Sequence, residues 1–185
     1  MKGKLFCLIG VSGVGKSQVR KFCIEKITGL EYLPSYTTRP PRLGEEDGKD
    51  YFYISKEEFE NLISDKKLLE WEKHFDNYYG IDESFFFRKL NAGVSLIKEI
   101  AIGGYEQLLK TCPKELLYSI YLQPENLSDV VDHITDRGDL DGQKRINSFN
   151  EELKGKGRCD KVVISEHGGL DLLCNTVEII IRSLI

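Results

Sequence analysis

Residues 4–9 form an apolar, strand-like run. A helix is expected next, because Val19, Phe22, Cys23 and Ile27 are spaced to share one face, with Gly29 placed as its C-cap. A short strand follows at 31–33. From 34 to 48 the chain is polar and irregular, and Pro40-Pro41 excludes a helix there. Residues 50–54 read as a strand with Tyr51 and Tyr53 on one face. Ser55 and Glu58 form a capping box for a helix carrying Phe59, Leu62 and Ile63. With short strands at 68–71 and 78–79, the stretch 34–82 reads as a small mixed α/β insertion.

Beyond it, 83–92 fits a helix ended by Gly93, and 94–100 and 116–122 are again apolar, β-rich runs covered on both faces, linked by a helix near 105–110. Helices are expected over 126–137 and from about 143, separated by a polar, glycine-marked stretch at 136–142 that suits a mobile lid. A strand at 162–164 and an amphipathic helix over 170–184 complete the chain. Strands alternating with helices predict an α/β fold, a parallel sheet flanked by helices, with ligands at the C-terminal ends of the strands.

The first strand leads into Gly10-Val11-Ser12-Gly13-Val14-Gly15-Lys16-Ser17, which spells G-x-x-x-x-G-K-S, and the first helix leads out. A strand, a Gly-rich turn and a helix N-terminus aim several backbone N–H groups at one point and make an anion cradle. Gly10, Ser12, Gly13, Val14, Gly15, Lys16 and Ser17 are therefore the candidate ATP-binding residues. Lys16 is placed to reach the β- and γ-phosphates, and the Ser17 hydroxyl to ligate Mg²⁺. This is the P-loop NTPase type of parallel sheet.

Composition narrows the rest. At 185 residues with a net charge of −4, the chain fits one domain and is not a general nucleic-acid binder, so any basic site must be local. Five scattered cysteines form no C-x-x-C pair; Cys7 and Cys23 fall on apolar faces and read as buried thiols in a reducing compartment, which the odd count supports. With no secretory segment and no membrane-spanning run, a cytoplasmic protein is expected. Arg39 and Arg42 lie three positions apart on a proline-stiffened backbone and are placed to converge on a second phosphate. Tyr51 and Tyr79 are candidates to donate phenolic hydrogen bonds to it. The acidic stretch 44–50 reads as a solvated face.

In order and spacing, the phosphate loop, Ser35 to Arg42, Gly44-Glu45 with Asp47-Gly48, Leu69-Glu70-Trp71 and Asn77-Tyr78-Tyr79-Gly80 resemble the guanylate kinases. The resemblance continues more loosely through 97–100 and Arg137-Gly138 to 161–164. It implies Mg-dependent phosphoryl transfer from ATP to GMP, and to dGMP, by a monomer or homodimer that engages neither nucleic acid nor membrane. It implies three parts: a nucleotide-binding core (1–33, 83–125 and 146–185), a GMP-binding domain (34–82) and a helical lid (126–145). By the same resemblance, Arg39, Arg42, Tyr51 and Tyr79 clamp the GMP phosphate, while Ser35 and Glu70 hydrogen-bond the guanine. A carboxylate suits guanine, whose N1–H and exocyclic amine are adjacent donors. Glu99 matches an acidic position beside the metal and substrate. Arg137 and Arg145 match lid arginines that join Lys16 and Arg39 in neutralising the transferred group.

The pattern also breaks. The family usually reads acid-Ile-Asp-x-Gln-Gly where this chain has Glu99-Ile100-Ala101-Ile102-Gly103-Gly104. Ile81 replaces a Ser or Thr that assists guanine binding, and Asp82 beside it is a candidate to compensate. The segment between Arg137 and Arg145 is shorter than usual, and Ser165-Glu166-His167 stands where an Asn and acids lie near the adenine. These departures admit a kinase of the same fold acting on another phosphorylated acceptor, or a binding module without turnover, although the latter typically has a degraded phosphate loop.

Overall fold

A computed structural model describes residues 2–74, 76–128, 130–131, 149 and 152–185. Five strands, β1 (Leu5–Ile9), β2 (Leu30–Tyr32), β7 (Ser95–Glu99), β8 (Leu117–Pro124) and β9 (Lys161–Ser165), pair in parallel in the order β2-β7-β1-β8-β9. β1 is buried along its whole length, as its unbroken apolar run requires. Its alternate side chains serve two cores. Phe6 and Leu8 pack with Val19 and Cys23 of α1 (Lys16–Lys26) and with Val177 and Ile181 of α5 (Leu170–Arg182). Leu5, Cys7 and Ile9 pack on the other face with Phe86 and Leu90 of α3 (Glu83–Asn91) and with Tyr105 and Leu108 of α4 (Ile102–Thr111). Each such fully buried large side chain contributes about 1.5–3 kcal/mol, so the central strand anchors both layers.

The second sheet comes entirely from residues 35–82. It runs β4-β3-β6-β5, from β3 (Ser35–Thr37), β4 (Tyr51–Tyr53), β5 (Leu68–His74) and β6 (Asn77–Asp82), with β3–β4 parallel and the other pairs antiparallel. Helix α2 (Lys56–Ser64) starts at the expected capping box, in which the Ser55 hydroxyl accepts from the Glu58 N–H and the Glu58 carboxylate from the Ser55 N–H. Two anchors tie this sheet to the core. The Gln107 side chain of α4 accepts from the Trp71 N–H at 3.2 Å and donates to the Trp71 carbonyl at 3.0 Å. The Thr111 hydroxyl donates to the Leu69 carbonyl at 2.9 Å. Glu70 lies between the two anchored residues.

Three local expectations change. Helix α1 is capped at Ile27, not Gly29: Ile27 turns extended to bury its side chain, and Gly29 makes the turn into β2 with φ +82°. The polar segment 35–37 is a strand, because tertiary pairing on both sides supplies what an apolar pattern would have signalled. The strands expected at 68–71 and 78–79 extend into one hairpin, from Leu68 to Asp82. Leu127, Ser128, Val130 and Val131 are helical, while the expected lid stretch 136–142 with Arg137, and Arg145 after it, lies outside the described residues.

Candidate active site

The phosphate-binding loop leaves the C-terminal end of β1, beside the point where the sheet order reverses from β7 to β8. Its glycines are dictated by space and backbone. Gly10 has φ +146°, and a Cβ there would stand 2.4 Å from the Leu122 carbonyl oxygen. Helix α1 begins at Gly15 with no side-chain cap and no acid in its first turn, which leaves its leading N–H groups for an anion. One neighbouring carboxylate already shows the cradle's preference: the Ser12 N–H donates to Glu152 Oε2 at 2.9 Å. The Lys16 ammonium folds back onto the loop and donates to the Gly10 and Val11 carbonyls at 2.6 and 2.9 Å.

Two cavities flank the loop. The larger, about 490 Å³, is lined by Gly10, Ser12, Lys16, Ser17, Ser35, Arg39, Arg42, Tyr51, Glu70, Tyr79 and Glu99, so one space gathers these residues singled out in the sequence. Gly13, Val14 and Gly15 line the smaller one, about 330 Å³, together with Ser165, Glu166 and His167. Among the described residues, no group of three His, Cys, Asp or Glu side chains is close enough to hold a metal ion. None of the described helices is long and apolar enough to cross a membrane. All five cysteines are free, and burial pushes the Cys23 and Cys159 thiols up to about 12 and about 11, so neither is an activated nucleophile.

In the outer half of the larger cavity, Arg39 is held in place. Its Nη2 bonds both oxygens of Glu45 at 2.9 Å, its Nη1 donates to the Pro40 carbonyl, and its guanidinium lies 5.3 Å from the Tyr51 ring centre. Tyr51 packs edge-on against Tyr79 at 5.9 Å. Arg42 is exposed at the rim, with its N–H bonded to Glu45. Glu45 also accepts from the Tyr53 hydroxyl at 2.8 Å. Burial pushes its pKa up, but these hydrogen bonds prevail and lower it to about 2. The acidic stretch is therefore not simply a solvated face, since Glu45 organises the arginine loop.

The inner half carries Ser35 and Glu70, 3 % and 5 % exposed. Burial raises the Glu70 pKa to about 7, against the opposing charge of Lys98. Gly104 leaves room for this carboxylate, since a Cβ there would come 3.0 Å from Glu70 Oε2. Glu99 ends β7 and pairs with Arg20 Nε at 2.8 Å, an arginine one helical turn beyond Lys16. Ile81 is fully buried in the core, and Ala101 begins α4 without a side-chain cap bond. Asp82 does not compensate: its carboxylate caps α3, accepting from the Phe85 N–H at 2.6 Å. Asp82→Ala should therefore cost about 1 kcal/mol of stability in thermal unfolding and leave the preference of GMP over AMP unchanged.

Arg20, Glu45, Glu152 and Lys98 escape a reading of the sequence. The first three are surface-type residues whose role depends on which loop folds against them. Lys98 alone leaves a trace, as a charge inside an otherwise apolar strand run.

The guanylate kinase family model matches residues 2–184. The chain belongs to the guanylate kinase family. Among curated guanylate kinases, that of Oceanobacillus iheyensis is 39 % identical over 168 residues, covering 89 % of this chain and 81 % of the relative. That of Bacillus subtilis is 35 % identical over 184 residues, covering 97 % and 88 %. The crystal structure of guanylate kinase from Anaplasma phagocytophilum superposes with a TM-score of 0.79 at 24 % identity, over 98 % of this chain and 86 % of that one, and so shares the fold. The family's P-loop architecture, a parallel sheet flanked by helices with a mixed second sheet, is the one described above.

Proposed function

We propose that this chain transfers the γ-phosphoryl group of Mg·ATP to GMP, and also to dGMP, with the larger cavity as the acceptor site. The observation that carries the reading is the single space holding Lys16, Arg39, Tyr51, Tyr79, Ser35 and Glu70. An oxygen of the GMP phosphate attacks the γ-phosphorus, the bond to the β–γ bridging oxygen breaks, and GDP and ADP leave. Lys16 and the loop N–H groups neutralise the ATP phosphates. Arg39, Arg42, Tyr51 and Tyr79 hold the acceptor phosphate, so the reaction becomes one of positioning and charge neutralisation. Glu45 keeps the Arg39 fork oriented. Burial raises the Tyr51 pKa, so its phenol stays a donor.

The Ser17 hydroxyl and the Glu99 carboxylate open into the same cavity. They offer hard oxygen donors of the kind Mg²⁺ takes alongside substrate phosphates, where the ion supplies charge stabilisation. Ser35 and Glu70 read the guanine. The smaller cavity, with Ser165, Glu166 and His167, takes the adenosine side of ATP. The chain divides into a core (1–33, 83–125, 146–185), a GMP domain (34–82) and a lid (126–145) that brings Arg137 and Arg145. It works in the cytoplasm as a monomer or homodimer, without nucleic acid or membrane.

A coupled ADP-release assay with Mg·ATP against GMP, dGMP, AMP, CMP and UMP tests this. Strong preference for GMP and dGMP is expected. Silence with every nucleotide, from protein that still binds ATP, would point to another phosphorylated acceptor or to a binding module.

A further inference from the structure

Lys98 has no task in the mechanism above, although it is only 5 % exposed and lines the acceptor cavity. Its ammonium donates to the Leu33 carbonyl at 3.1 Å and lies 5.4 Å from the Tyr32 ring centre. Among the described residues, this is its one hydrogen bond, for a group with three N–H donors. Leu33 precedes Ser35 by two residues, so the ammonium is anchored at the base end of the cavity.

Glu70 is its counterpart. The carboxylate accepts no hydrogen bond among the described residues, yet no fully enclosed side-chain oxygen there lacks a partner, so its oxygens reach the cavity. The two groups feel each other's charge but form no direct ion pair. Burying two opposite charges apart is costly unless something between them uses both. Ile81 and Ala101 place no polar side-chain atom in this half of the site.

We infer that Lys98 is a specificity-determining residue whose ammonium donates to the 6-oxo group of a purine while Glu70 accepts from its N1–H. The inference rests on the guanylate kinase reading and deepens it. The guanine edge runs oxygen acceptor, N1–H donor, amine donor, and Lys98 followed by the two Glu70 oxygens is its complement. Hypoxanthine keeps the first two of these features. Adenine reverses both, setting an amine against the ammonium and a lone pair against the carboxylate. The site therefore selects 6-oxopurine monophosphates.

Dissociation constants of GMP, IMP, AMP and 6-thio-GMP, measured by calorimetry on the wild type and Lys98→Met, test it without depending on turnover. Methionine keeps the length and apolar stem of lysine and removes the donors. Lys98→Met should weaken GMP and IMP binding about 10- to 100-fold. It should weaken 6-thio-GMP far less, because sulfur is a poor acceptor, and leave the dissociation constant of ATP unchanged. Equal losses for GMP and 6-thio-GMP would overturn the inference and make Lys98 a mere anchor for Leu33. If the variant does not fold, the wild type decides: it should bind GMP more tightly than 6-thio-GMP, and equal affinities would overturn the inference. Failure of the transfer reading looks different, as GMP binding with this selectivity but no ADP release.

Discussion

Lys16→Ala is expected to lower kcat for phosphoryl transfer by about a thousandfold or more, equivalent to roughly 4 kcal/mol of transition-state stabilisation. In the free protein the ammonium donates to the Gly10 and Val11 carbonyls. Its expected contribution would come as charge develops on the phosphoryl group in a site from which water is excluded. The fold should persist, because Lys16 enters neither core. Single-turnover kinetics together with circular dichroism separate the two effects. A folded Lys16→Ala protein with substantial turnover would remove Lys16 from the chemistry.

Much of this was legible because sequence signals act over short distances. The phosphate loop can be read as a motif since its glycines, lysine and serine recur at fixed spacing within one strand–turn–helix unit, even though the residue that forbids a side chain at Gly10 is Leu122 on β8. The capping box at Ser55 and the paired tyrosines at 51 and 53 are likewise local. What stayed hidden depends on distant partners. Ser35–Thr37 is a strand because β4 and β6 embrace it. Lys98 stands out only because it lines the same cavity as Glu70, which belongs to the other sheet. Arg137 and Arg145 fall outside the described residues, so their roles rest on the family pattern alone.

The second large effect concerns Glu70. Glu70→Gln should reduce kcat/KM for GMP by about 10²- to 10³-fold, or roughly 3–4 kcal/mol, because the amide presents a donor to a base edge made of donors. The KM for ATP should hardly change. Equal damage to both substrates would make Glu70 a structural residue. The pH dependence adds a second readout. With its pKa raised to about 7 by burial, the free carboxyl is protonated on the acid side and becomes an acceptor as pH rises. GMP affinity should therefore strengthen as pH increases through that value in the wild type, and this component should vanish in Glu70→Gln. The linkage to stability has the opposite sign. An acid whose folded-state pKa is raised contributes stability at low pH and loses it as pH climbs from the ordinary value of 4.5 to about 7.

Strand β5 lies at the border of its sheet, and seven residues of backbone left open there would be a template for a second copy of the chain. Gln107 answers one such N–H and one such carbonyl at Trp71, and Thr111 answers another carbonyl at Leu69. Two side chains of one helix thus imitate a neighbouring strand. The contacts that flank Glu70 also guard the molecule against self-pairing into aggregates.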